Sequence, residues 1–219
     1  MNRNELVREF RIATQDLVAP YLWDTPDVVR WLEEAEREAC VRGRLLHEST
    51  DLDMCEIAVA PEEAVYPLHP RLYEIDHIAF LDDGASCRRP IKLVSSEYLD
   101  ATVQDWRDRV GRVEYAIQDE TSLRLVPRPD APGTVLLEGY RLPNSPAGAT
   151  SFEIHEAQHR NLLDWALFRA FSVPDAETLD LGRAAEAERA FTAYFGVRPG
   201  SDLRRQTRED VPQANVGYY

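Results

Sequence analysis

The stretch His155-Glu156-Ala157-Gln158-His159 spells H-E-x-x-H. On an α-helix, two histidines four residues apart share one face and can bind one zinc ion, and the glutamate can activate the metal-bound water. That chemistry would make the chain a zinc-dependent hydrolase, with His155 and His159 as ligands and Glu156 as base. The surroundings speak against it. Glu153 precedes the motif and Arg160-Asn161 follow it, where metallopeptidase helices carry uncharged and apolar residues. No H-x-x-G-x-x-H continuation occurs, and a third ligand would have to be Glu177, Glu186 or Glu188, none of them in a recognisable motif. Thr150-Ser151-Phe152-Glu153 reads as a capping box, which puts His155 in a frayed first turn, poor support for a metal. A packing helix over 152–171 accounts for more residues. His155, His159, Leu163, Ala166 and Ala170 form one stripe, widened by Leu162, Trp165 and Phe168. The histidines then sit at its polar end, bonded to carboxylates or backbone, and the expectation is no catalytic residue, no metal and no cofactor.

Other chemistry is weaker still. There is no P-loop, no Rossmann glycine fingerprint and no G-x-S-x-G elbow. Asp51, Asp53 and Glu56, like Asp82-Asp83, read as solvated turn acids. Cys40, Cys55 and Cys87 contain no C-x-x-C pair and read as buried free thiols. The net charge of −14 argues against tight nucleic-acid binding, although not against a surface past which DNA slides. Lys92 is the only lysine and the other bases are arginines, a bias that a GC-rich genome produces by itself and that is compatible with bidentate subunit contacts. The first residues lack a signal-type apolar region, and no apolar run approaches a membrane span, so the expectation is a soluble intracellular product.

The elements that must position these residues fall into three groups. Residues 3–18 place Leu6, Phe10, Ala13 and Leu17 at helical spacing, and Thr25-Pro26-Asp27 opens a second helix to about residue 47. Its stripe is Val28, Leu32, Ala35, Ala39 and Leu46; Glu33, Glu34, Glu36, Arg37 and Glu38 are its expected solvated face. Residues 55–142 read as strands at 55–60, 72–80, 90–94, 113–118, 123–127 and 134–142, with a turn at Asp82-Asp83-Gly84 and a short helix or ordered loop at 96–108. Two helices follow, over about 152–171 and 176–195, the second stopped by Gly196. Residues 197–219 read as an extended tail. The expected fold class is α+β. Terminal helices pack together into a bundle (1–50 and 149–196), an inserted antiparallel β module (51–148) projects from it, and 197–219 is a docking tail.

Two blocks carry a resemblance. Pro20-Tyr-Leu-Trp-Asp-Thr-Pro-Asp-Val-Val-Arg-Trp-Leu-Glu-Glu-Ala35, running on to Arg44-Leu-Leu46, and Glu156-Ala-Gln-His159 through Leu162-Leu-Asp-Trp-Ala-Leu-Phe-Arg-Ala-Phe171 are similar to the second and penultimate helices of the head-to-tail adaptor (connector) proteins of tailed bacteriophages. The resemblance spans about residues 5–196, thinly in the β region. It implies a virion protein at the head–tail interface, assembled in the host cytoplasm. It implies a ring of commonly twelve copies that joins the portal protein to tail or nozzle proteins and extends the DNA channel. It also implies a C-terminal extension docking on the portal, to which Arg204, Arg205, Arg208, Tyr218 and Tyr219 would contribute. An acidic ring would repel phosphate and let the genome leave, and terminal aromatics suit a neighbour's groove. The rival readings are the zinc hydrolase and a phage assembly factor that binds its partners transiently.

Overall fold

A computed structural model of the chain describes residues 1–144, 149–175 and 177–200. The fold is α+β. In chain order its elements are α1 (Arg3–Thr14), α2 (Thr25–Gly43), β1 (His47–Glu48), α3 (Leu52–Cys55), β2 (Glu56–Val59), β3 (Val65–Pro67), β4 (Leu72–Asp82), β5 (Arg89–Pro90), β6 (Lys92–Leu93), α4 (Ser96–Thr102), β7 (Val110–Gly111), β8 (Tyr115–Gln118), β9 (Ser122–Val126), β10 (Arg128–Pro129), β11 (Gly133–Arg141), a 3-10 turn (Glu156–Asn161), α5 (Leu162–Phe171) and α6 (Leu181–Phe195). Two compact units result. One is built from 1–47 and 141–198, and the body of the other is 48–140.

In the helical unit, α1 opens on a reciprocal cap. The Asn2 side chain accepts from the Glu5 N–H, and the Glu5 carboxylate accepts from the Asn2 N–H. Both early helices end about four residues before their apolar patterns do. Each stops at a left-handed residue, Gln15 (φ 60°) and Arg44 (φ 51°), which periodicity does not reveal. Phe10 meets Trp23 edge-on at 5.7 Å, Trp23 meets Phe171 edge-on at 5.8 Å, and Trp165 lies 5.0 Å from Phe191. Leu6, Leu32, Ala35, Leu162, Ala166 and Phe191 complete one core shared by α1, α2, α5 and α6.

The acidic face of α2 is not wholly solvated. Glu36 is 1% exposed and Glu38 8%. Glu38 pairs with Arg42 at 2.8 Å, and the Arg42 guanidinium lies 5.2 Å from both the Trp165 and Phe191 rings while donating to Thr192 Oγ1. So α2 is covered on this flank by α5 and α6. Glu36 accepts the backbone N–H of Glu153 at 2.6 Å and faces that of Ile154 at 3.4 Å, which fastens the segment entering the 3-10 turn to α2. The expected helix over 152–171 is therefore only half present. Glu153 and Ile154 bond to the Glu36 side chain instead of to a backbone ladder of their own, and α-helix begins at Leu162.

In the β unit, two sheets enclose one core. The first has β2–β11–β4–β5 side by side and the second β3–β9–β8–β6. Val59, Ile78, Phe80, Val135 and Leu137 of the first face Tyr66, Ala116, Leu123 and Leu125 of the second. The single strand expected at 90–94 is split at Ile91, whose N–H reaches back to Ile78 while that of Lys92 donates to Glu114 of the other sheet. The chain thus changes sheets in one residue. β4 and β5 form the expected hairpin, with Gly84 in the left-handed region at φ 73°. β11 approaches β4 so closely at Gly139 that a Cβ would sit 2.2 Å from the Glu74 carbonyl. The outer face of the second sheet is closed by Leu99 of α4 and Trp106, packed on Ile117 and Val126.

Burial holds the Glu36 carboxyl above the usual carboxylate range, opposed by the two backbone N–H groups and by Arg3. The folded state then binds that proton more readily than the unfolded chain. Its contribution is greatest below the ordinary glutamate pKa and is lost as pH rises through the raised value. Replacing Glu36 with Gln keeps an acceptor for the backbone and should flatten this pH dependence in urea unfolding. Glu36→Ala strands buried N–H groups and should cost about 2–3 kcal/mol.

Candidate functional site

The histidine motif folds into structure. His155 is the cap of the 3-10 turn, its Nδ1 accepting from the Ala157 N–H at 3.2 Å. His159, 6% exposed, has Nδ1 2.6 Å from the Met1 carbonyl and Nε2 2.9 Å from the Ile154 carbonyl. Both of its nitrogens face backbone oxygens, so neither presents a lone pair to a metal. The two rings do not share the face of an α-helical turn, which the zinc arrangement requires. Glu156 is exposed, and its carboxyl is held below the usual range by the Met1 amino group at 2.8 Å. The motif is spent on joining α1 to α5. His159 bonds to backbone, as one of the structural readings had it.

The thiols are equally unreactive where buried. Burial pushes Cys40 up to about 12 and Cys55 up to about 11. Cys87 differs from expectation: it is exposed, on the loop between β4 and β5.

Surface, not chemistry, distinguishes the helical unit. Leu17, expected on the α1 stripe, is 62% exposed, and Val18 is 79% exposed; Tyr21 and Leu22 are also open. They are held out by the α1–α2 connection itself. Asp16, buried against Arg11, accepts the N–H of Leu22 at 3.0 Å and lies 3.3 Å from that of Trp23. Arg11 also donates to Thr25 and stacks 4.0 Å from the Tyr21 ring. A buried ion pair thus props a loop whose apolar residues have nothing of their own to cover. The groove beside it, about 480 Å³, is lined by Val7, Arg8, Ile12, Leu17 and Tyr21. Asn4, Arg11, Asp16 and Thr25 line it as well, and an open surface that mixes exposed apolar and charged side chains suits a protein partner. Sequence periodicity missed this surface because it counted Leu17 as core. The aromatic-rich run from Pro20 was its visible sign. The tail residues Arg204, Arg205, Arg208, Tyr218 and Tyr219 lie outside the described residues.

The sequence profile of the SU10 adaptor protein family matches residues 1–216. The chain belongs to that family, one of phage head-to-tail adaptors. No curated protein matches it. The match covers the helical unit, the β unit and most of the remaining chain, so the resemblance first seen in two helical blocks extends through the β region. Among the described residues, no helix of this adaptor-family chain is long and apolar enough to cross a membrane, and no group of three or more His, Cys, Asp or Glu side chains is placed to hold a metal ion.

His159→Ala removes the tie between the Met1 and Ile154 carbonyls. It should lower unfolding stability by about 1–3 kcal/mol. A chelator such as EDTA should leave the Tm of the wild-type chain unchanged; a chelator-induced drop would restore the zinc reading.

Proposed function

We propose that the chain is a structural component of a tailed phage particle, a head-to-tail adaptor that forms a ring, commonly of twelve copies, between the portal and the tail and extends the DNA channel. The observation that carries this is the family match over 1–216, and the propped apolar loop at 15–22 supplies a surface of the kind it needs. In this reading the helical segments 1–50 and 149–196 form the bundle, 51–148 is the inserted β module, and 197–219 docks on the portal through Arg204, Arg205, Arg208, Tyr218 and Tyr219. The chain catalyses no reaction. Its charge of −14 discourages phosphate from sticking as the genome passes.

Particles made without this protein should lack attached tails and lose their DNA, as scored by electron microscopy and nuclease sensitivity. Tailed, DNA-filled particles would overturn the proposal. Deleting 203–219 should leave the Tm of the purified chain within a few degrees of wild type and abolish portal attachment. Val18→Asp with Leu22→Asp should likewise preserve folding, because both side chains are already exposed, and reduce tailed particles at least ~10-fold, about 1.4 kcal/mol of lost association.

A further inference from the structure

Charge is sorted across the β unit. The segment 51–67 contains five acids, Asp51, Asp53, Glu56, Glu62 and Glu63, and no base. The segment 88–93, Arg-Arg-Pro-Ile-Lys-Leu, contains three bases and no acid. The topology puts these segments at opposite edges of both sheets. β2 lies beyond β11 in the first sheet and β3 borders the second, so 51–67 forms one flank. β5 closes the first sheet and β6 the second, so 88–93 forms the other. Three inter-strand steps separate β2 from β5 and β3 from β6, about 14 Å; Arg88 shares a groove on the first sheet with Leu52, Cys55 and Glu56, so the separation is fullest between the Glu62–Glu63 turn and Lys92.

Both flanks are held in shape. The buried Tyr66 hydroxyl donates to the Glu63 carbonyl and also bonds at Ala60, and the Glu62 N–H donates to Pro129. These bonds fix the turn that displays Glu62 and Glu63, both exposed. On the other side the Arg89 guanidinium donates to the Val113 carbonyl and lies 5.5 Å from the Phe80 ring, and Asp82 sits 3.6 Å from Arg89 and 3.9 Å from Arg112. A depression of about 300 Å³ opens there between Lys92, Arg112 and Tyr115, with Glu114 the acid in its lining. Arg88 and Lys92 are exposed. Pro67 and Pro90 stand on the two edges and discourage backbone strand pairing, which leaves side-chain charge as the recognition signal.

We propose that these flanks are the two halves of one heterologous interface, in which the acidic edge of the β unit in one copy docks on the basic edge of the β unit in the next. The occupant is a second copy because the chain carries both complements, on opposite sides, at matching sheet edges. Head-to-tail contacts of this kind propagate from copy to copy and close into a ring when the rotation allows. The sorting also addresses a difficulty of the proposed function, on which this inference rests: subunits of charge −14 repel one another unless a local basic surface meets a local acidic one.

The test exchanges charge on one flank at a time in the full chain. Arg88→Glu with Lys92→Glu makes both flanks acidic; Glu62→Lys with Glu63→Lys makes the turn at 62–63 basic and leaves Asp51, Asp53 and Glu56 as the acids of that flank. Neither pair removes a core side chain. In sedimentation at low salt, each variant alone should stay smaller than wild type at equal concentration. An equimolar mixture should associate at least ~10-fold more tightly than either alone, an effect that added salt erases. No gain on mixing would overturn the interface. So would binding of a 30-base-pair DNA duplex that is lost in the Arg88→Glu, Lys92→Glu variant with no gain on mixing, since the basic edge would then serve phosphate. The adaptor reading fails or stands separately: it is decided by particles lacking the chain altogether.

Discussion

A carboxylate buried in the helical unit governs how its parts meet. Glu36, in the middle of α2, holds the Glu153 backbone, and the carbonyl of the next residue, Ile154, receives His159, whose other nitrogen meets the Met1 carbonyl. Arg3 adds bonds to Glu33 and to the Ala149 carbonyl. One polar chain therefore links α1, α2, the segment from 149 and the start of α5. Apolar packing alone would let these pieces slide, since it is non-directional. Directional bonds with costly vacancies fix their register, because a buried donor left without an acceptor is penalised heavily.

That constraint explains why a sequence that reads as zinc chemistry yields a joint. The His159 ring, which would supply one metal ligand, instead ties the Met1 carbonyl, more than 150 positions away, to that of Ile154, while His155 caps its own turn. It also explains why the surface is available for partners. With Arg11 and Asp16 paired inside the α1–α2 connection, Leu17, Val18, Tyr21 and Leu22 are displayed by a braced loop, not a loose one. A preorganised apolar surface binds with less ordering cost than one that must first fold. The β unit follows a different logic. Its core is made by two sheets, and its edges carry opposite charge.

Much was legible in the residues alone. The apolar stripes of α1, α2, α5 and α6 were visible because burial on one face imposes a period near 3.6. Most of the longer strands, β4, β9 and β11 among them, were visible because β-rich runs alternate between turn signals. Two-residue strands such as β1, β5, β7 and β10 left no such pattern, and their existence depends on which neighbour the backbone finds. The break at Ile91 was equally hidden, because Pro90 to Leu93 looks like one strand whichever sheets receive it.

By itself, then, the order of amino acids determined the α+β class, the helical and β segments, the acidity, and the likeness to phage adaptors in two helical blocks, since all of these are local or additive. Only the tertiary structure decided that Glu36 and Glu38 lie inside, that His159 faces two carbonyls, that Leu17 lies outside, and that residues 51–67 and 88–93 occupy opposite edges. Each of these depends on a partner far away in sequence, and burial or charge at one position carries meaning only once that partner is in place.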